Sequence, residues 1–235
     1  MTEPLNVDTA EVGRFEALAS RWWDPEGELR PLHRMNPVRT DYIDGRVGLL
    51  GKDCLDVGCG GGLLTEAMAG RGARVTGIDM AASSLDVARL HAEISGLTDI
   101  EYRQIAASEL AAEQPASFDL VTCLEVLEHV PDPAALVGDC ARLVRPGGDL
   151  VFSTINRTGK AWLIAIVGAE YVTRLIPRGT HSYQKFIRPS ELDVWARHYH
   201  LTLSDLSGLH YDPIGGAFSL GKGVDVNYLA HFVAR

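Results

Sequence analysis

The segment CLDVGCGGGLLTEAMA, residues 54–69, constrains this chain more than any other. A run of buried-type residues carries Asp56, glycines follow at 58, 60 and 62, and a helical apolar period begins at Leu63. A strand, a tight turn and a helix are the elements this order allows. Without β-carbons, Gly58, Gly60 and Gly62 let a ligand lie against the backbone, and the helix beyond supplies free N–H groups. A dinucleotide G-x-G-x-x-G does not fit: counted from Gly58 its third glycine falls at Leu63, and from Gly60 at Thr65. A phosphate-binding P-loop is excluded as well, since no G-K-[ST] follows. About twenty residues further on, RVTGIDMA places Asp79 at the edge of a second strand, where one carboxylate can accept two ribose hydroxyls. The competing structural reading is a tight turn plus a helix-capping aspartate.

Short apolar runs alternate with helical periods along the middle of the chain. CLDVG, a helix over 63–70, RVTGID, a helix over 83–96, IEYRQ, FDLVTCLEV, a helix over 133–144 and DLVFSTI follow one another. This order predicts an α/β, doubly wound, Rossmann-like sheet, mostly parallel. Two later runs, LTLSDL and VNYLAHFV, bring the expected strand number to seven, and RPSELDVWARHY reads as a helix before them. Ahead of the core, residues 8–23 form an amphipathic period with Asp8 or Thr9 as its cap, and a second helix is expected near 38–50 after four Pro and Gly residues. The 235 residues suit a single domain: a helical lid over 1–44, a cofactor-binding core over 45–156, an insert after the fifth strand over 157–190, and C-terminal helix and strands over 191–235.

A net charge of -9 argues against nucleic acid as a partner. Cys54, Cys59, Cys123 and Cys140 form neither a C-x-x-C nor a zinc-like pair of pairs, so buried thiols in a reducing cytosol are expected. The N-terminus has no signal-peptide pattern, and no apolar run reaches membrane-spanning length.

The acid-and-glycine loop, the strand-edge acid Asp79 and the later RLVRPGGDLVFSTINR resemble the class I S-adenosylmethionine-dependent methyltransferases over residues 45–155. Many relatives carry an aspartate after the third strand facing the adenine amine; here QIAASEL offers Ala106 and Ala107, with Ser108 and Gln104 as replacements. The flanks narrow the resemblance. FEALASRWWDPEGELRPLHRMNPVR, CLEVLEHVPDP, WLIAIVGAEYVTRLIPRGTH, GLHYDPI and GVDVNYLAHF are similar to the ubiquinone-biosynthesis O-methyltransferases. That resemblance implies S-adenosyl-L-methionine as cofactor and methylation of polyprenylated phenol or quinol precursors, of the 3-demethylubiquinol and 2-polyprenyl-6-hydroxyphenol type. It also implies residue roles: Arg39 of NPVR on the methionine carboxylate, Asp56, Gly58, Gly60 and Asp79 in the cofactor cradle, and Leu124 beside the adenosine. A complex of ubiquinone-biosynthesis proteins is an implied partner. Two rival readings are an O-methyltransferase of soluble catechols or small phenols, and a non-catalytic cofactor- or lipid-binding scaffold.

Glu125, Glu128 and His129 follow the fourth strand at spacings of three and one, which a helical turn would gather on one face. Such a trio can hold a divalent ion, or His129 can act as general base, since an imidazole near pKa 6.5 suits neutral operation. The resemblance favours a metal, magnesium, with Glu125, Glu128 and His129 as ligands and with Glu125 and His129 catalytic. The alternative is a turn with solvated carboxylates. Residues 157–188 carry six basic residues against the single Glu170, around the nine-residue apolar run AWLIAIVGA. That pattern reads as an interfacial segment on an anionic membrane surface, and it places the protein in the cytoplasm, peripherally on the inner face of the membrane. The alternative is a core helix with a solvated basic end.

Overall fold

A computed structural model describes residues 5–162, 183–213 and 215–235. Much of the insert, residues 163–182, lies outside the described residues. Five parallel strands form one side of the sheet: Asp53–Val57 (β1), Arg74–Asp79 (β2), Ile100–Gln104 (β3), Phe118–Leu124 (β4) and Val144–Ile155 (β5). Leu201–Asp212 (β6), Ala217–Gly221 (β7) and Asn227–Ala234 (β8) complete it. The order is β3-β2-β1-β4-β5-β8-β6-β7, and β8 runs antiparallel to both β5 and β6. The α/β, mostly parallel, doubly wound architecture is the expected one. The strand number is eight, not seven. The addition is β7, which pairs antiparallel with the second half of β6. Its AFSLG has one face in solvent and no long apolar run, so sequence pattern alone does not reveal it.

The helices are Thr9–Leu18 (α1), Arg30–Val47 (α2), Leu63–Ala69 (α3), Ala82–Ile94 (α4), Ala107–Glu113 (α5), Pro133–Leu143 (α6), the single turn Gly159–Ala161 (α7) and Pro189–His198 (α8). Asp8 caps α1 as expected, accepting hydrogen bonds from the amides of Ala10 and Glu11. Helix α2 begins well before the expected start near residue 38. Pro31 sits in its first turn, where a missing N–H costs nothing, and Pro37 is accommodated inside the helix. A short 3₁₀ turn, Ala19–Arg21, follows α1.

The order β3-β2-β1-β4 means that the chain leaves β1 towards one edge and returns on its other side at β4. The C-terminal ends of β1 and β4 therefore form a topological switch point, the place where open parallel sheets leave a crevice for ligands. The largest core cluster lies on the β4–β5–β8 side, where Phe152 and Phe232 meet edge to face with centroids 5.9 Å apart. All four cysteines are free and buried. Because Phe152 is only 1% exposed, Phe152→Ala leaves a cavity that its strand neighbours cannot fill. The variant is expected to lose about 3–5 kcal/mol of unfolding free energy, read by urea denaturation with an unchanged slope.

Candidate functional site

Asp56, at the end of β1, is 3% exposed and anchors the site from below. One carboxylate oxygen accepts a hydrogen bond from the Thr122 hydroxyl on β4 at 2.8 Å, and the other accepts one from the Thr65 hydroxyl on α3 at 2.7 Å. Burial pushes its pKa up to about 6, against the opposing pull of the two threonine hydroxyls and the nearby Arg39 charge. Above it the backbone enters the left-handed region at Gly58, Gly60 and Gly62. A β-carbon at Gly58 would collide with Val126, and one at Gly60 with the indole of Trp22. Both positions therefore need glycine for conformation and for clearance.

Asp79 closes the cradle from the end of β2. Its two oxygens accept the amides of Gly60 and Ala81, each at 2.8 Å, and burial raises its pKa. Each oxygen keeps a lone pair for a ligand hydroxyl. On the facing side, Arg39 of α2 is 5% exposed and lines the same cavity. Its Nε has no hydrogen-bond partner, and the guanidinium makes no ion pair among the described residues. Desolvation lowers its pKa, while the charges of Glu125 and Asp56 hold the proton on. A buried guanidinium with no ion pair among the described residues, set beside a glycine cradle, suits the carboxylate of a ligand.

The cavity between these groups measures about 790 Å³. Leu124, Ala106, Ala107 and Ser108 line it. Gln104 instead donates to the Met80 carbonyl. The N-terminal segment covers the glycine loop. Trp22 packs on Gly60 and Gly61, and the Trp23 indole donates to the Gly61 carbonyl at 2.9 Å while stacking on His91.

Glu125, Glu128 and His129 all line the cavity but do not form the expected trio. Glu125 sits in the left-handed region, with φ +58°, and the 3₁₀ turn Leu127–His129 begins only after it, so helical spacing does not apply. The Glu125 carboxylate accepts from Ser153 and Asn227. Glu128 is buried and accepts from the Thr154 hydroxyl at 2.7 Å. Burial and the neighbouring Glu125 push its pKa up to about 8. His129 turns its Nδ1 towards Glu11 at 3.2 Å. Among the described residues, no three His, Cys, Asp or Glu side chains are grouped to hold a metal ion. The expected magnesium set of Glu125, Glu128 and His129 is thus not preformed here. Sequence reading also missed Glu11, whose place beside His129 follows from a contact 118 residues away and from no local signal.

Comparison with known proteins identifies the lineage. Residues 55–152 match the family model described as a methyltransferase domain. The ubiquinone biosynthesis O-methyltransferase of Pseudomonas fluorescens Pf-5 is 59% identical over 224 residues, covering 95% of this chain and 96% of its own length. That of Stutzerimonas stutzeri A1501 is 58% identical over 228 residues, covering 97% and 98%.

The chain belongs to the ubiquinone biosynthesis O-methyltransferases.

Fold comparison agrees. Magnesium protoporphyrin IX methyltransferase from Synechocystis PCC 6803, solved with bound S-adenosylmethionine, superposes with a TM-score of 0.69 at 16% identity, covering 100% of both chains. A possible histamine N-methyltransferase from Thermotoga maritima gives 0.67 at 13% identity, covering 97% and 100%. This O-methyltransferase is accordingly an enzyme with S-adenosylmethionine as its cofactor. The glycine cradle and the unpaired Arg39 are features that such a cofactor fits.

Asp56 offers a direct test of the anchoring argument. Its folded-state pKa is raised above the unfolded value near 3.8, so the native state binds the proton more tightly and loses stability as pH rises between about 4 and 6. Asp56→Asn removes that titration. The variant's stability relative to wild type is expected to improve between about pH 4 and 6 and to stay level on either side, as followed by urea denaturation across pH.

Proposed function

We propose that the enzyme methylates a phenolic hydroxyl of polyprenylated ubiquinone precursors, with cofactor and acceptor meeting at the β1–β4 switch point. The observation that carries this reading is the unpaired, buried Arg39 guanidinium facing the glycine cradle. Arg39 holds the methionine carboxylate, Asp79 the ribose hydroxyls, and Leu124 and Ser108 flank the adenosine. S-adenosylmethionine supplies the methyl group on a sulfonium, a good leaving group. The protein's own work is to align the acceptor, exclude water and remove the phenol proton, which at neutral pH a phenol with pKa near 10 retains.

His129 is the group assigned to take that proton. It lines the cavity beyond β4, and an imidazole titrates in the useful range. Glu125 acts from the other side as a fixed negative charge whose field keeps Arg39 ionised. Apolar residues of α2 and of the β6–β7 hairpin, among them Met35, Tyr211 and Phe218, line the same cavity and suit the first carbons of a prenyl tail. Arg39→Ala and Asp79→Ala are expected to weaken S-adenosylmethionine binding at least tenfold by calorimetry, since each removes charge-assisted hydrogen bonds. Mass spectrometry of a short-tailed catechol should show a product heavier by one methyl. Wild-type cofactor affinity in both folded variants would overturn the cradle assignment, and absence of product from the wild type would overturn the catalytic one.

The insert adds a membrane role to the proposal. No helix among the described residues is long and apolar enough to cross a bilayer. Arg157, Lys160 and Lys185 pair with Glu191, Asp225 and both Asp8 and Glu11, which leaves Arg174, Arg178, Arg188 and the apolar run AWLIAIVGA to meet an anionic surface. A basic, apolar segment docks on anionic lipid from the cytoplasmic side, where a polyprenyl tail resides. Changing both Arg174 and Arg178 to Glu alters the local charge by four units. Flotation with anionic vesicles at low salt should show binding by the wild type and strong loss in the variant, with cofactor affinity kept. Equal flotation of the two proteins would remove the membrane role.

A further inference from the structure

Trp22 and Trp23 are adjacent indoles of the N-terminal segment, and their polar atoms meet different fates. Trp23 is fully engaged: its Nε1 donates to the Gly61 carbonyl at 2.9 Å, and its ring stacks on His91 of α4 with centroids 3.4 Å apart and planes at 1°. The Glu66 carboxylate of α3 fixes His91 in turn, at 2.9 Å. Trp22 is only 5% exposed and lines the cavity. Its carbonyl accepts from the His33 ring of α2 at 2.8 Å, so its main chain is held as well. Its own Nε1 is buried and has no hydrogen-bond partner among the described residues. An indole N–H is a donor only, and leaving it buried and unmet costs free energy until an acceptor arrives. The glycine loop supplies a seat for this ring. A β-carbon at Gly60 would meet the six-membered ring of Trp22, and one at Gly61 the five-membered ring. Gly60 also needs glycine for its left-handed backbone, whereas Gly61 stays outside that region, so contact with Trp22 is what requires glycine at 61.

Two buried donors without partners among the described residues, Trp22 Nε1 and Arg39 Nε, thus line one cavity beside the glycine loop. The chemistry they suit is an acceptor-only anion: a carboxylate has no hydrogen of its own and takes several donors at once. Hydroxyl donors are matched instead by the Asp79 carboxylate. We propose that Trp22 is a cofactor-binding residue whose Nε1–H donates, together with Arg39, to the methionine carboxylate of S-adenosylmethionine. The inference rests on the assignment of that carboxylate to Arg39. The two indoles then have separate duties: Trp23 ties the N-terminal segment to the protein, and Trp22 ties it to the ligand. Closure over the glycine loop is complete only with the amino-acid end of the cofactor in place, so the segment selects against nucleosides that lack it.

The test is calorimetric and involves no turnover. Full-length wild type, Trp22→Phe and Arg39→Ala are each titrated with S-adenosylhomocysteine and with 5′-methylthioadenosine, which has the same nucleoside and thioether without the amino-acid carboxylate. Phe keeps an aromatic ring on the glycine pair and removes the N–H. The expected result for Trp22→Phe is a loss of about 10–100-fold in affinity for S-adenosylhomocysteine, with affinity for 5′-methylthioadenosine within about twofold of wild type. Wild-type affinity of Trp22→Phe for S-adenosylhomocysteine would overturn the proposal. An equal loss for both ligands would overturn it too, since that is the signature of a ring acting by packing alone. Arg39→Ala separates the two assignments: weak S-adenosylhomocysteine binding there, beside wild-type binding by Trp22→Phe, strikes Trp22 only, whereas wild-type binding by Arg39→Ala removes the carboxylate assignment and the proposal with it. A second readout needs no substitution. In wild-type protein with nitrogen-15-labelled tryptophan, the Trp22 indole N–H resonance is expected to move downfield on saturation with S-adenosylhomocysteine. An unmoved resonance, or the same movement with 5′-methylthioadenosine, would overturn the proposal.

Discussion

The site depends on one buried carboxylate. Taking Asp56 out of water costs several kcal/mol, and two threonine hydroxyls return part of that cost only because Thr65 and Thr122 come from different elements. The bond to Thr122 fixes β1 against β4 at the register where Asp56 lies opposite it, and the bond to Thr65 fixes the helix that follows the glycine loop. The loop between them therefore starts and ends at defined points. Its left-handed turns at Gly58, Gly60 and Gly62 are the shape left to a five-residue connection, 58–62, with both ends held.

Electrostatics then separates what is paired from what is kept available. Asp56 and Glu125 both act on Arg39 through their fields, yet neither forms an ion pair with it, and each has its hydrogen bonds from neutral donors instead. A direct salt bridge would satisfy the guanidinium and leave it nothing to offer. Field without contact keeps Arg39 charged in a buried position at the cost of an unsatisfied Nε, which a ligand carboxylate is suited to satisfy. Glu128 shows the opposite outcome: with Glu125 close by and no ion pair of its own among the described residues, burial raises its pKa while it accepts a hydrogen bond from Thr154.

These distinctions mark where sequence reading succeeds and where it stops. The β-α alternation, Asp56, the alternate glycines and Asp79 were legible because each is specified by residues adjacent in the chain. Helix α5 was not, because IAASELAAE shows no strong apolar period and its fate is decided by packing against α6. The error at Glu125 has a different cause. Spacings of three and one gather side chains only on a continuous helix, and a residue at φ +58° between strand and turn resets the direction of everything after it. Residues 125, 128 and 129 consequently bond to Ser153, Thr154 and Glu11, the first two adjacent on β5 and the third on α1.

The N-terminal segment connects the two halves of the site in a way no local pattern announces. Asn6 exchanges hydrogen bonds with the backbone of Asp132 at 2.6 and 2.8 Å, tying the chain ahead of α1 to the turn after His129. Glu11 and Phe15 then reach the imidazole, Trp22 and Trp23 lie over the glycine loop, and Asn36 donates to the Leu63 carbonyl at the start of α3. Three residues later in the same helix comes Arg39. One continuous stretch thus contacts His129 first and the glycine loop afterwards. Displacing it from either would disturb the other, so the shape of the glycine loop and the orientation of the His129 imidazole are parts of a single packing event.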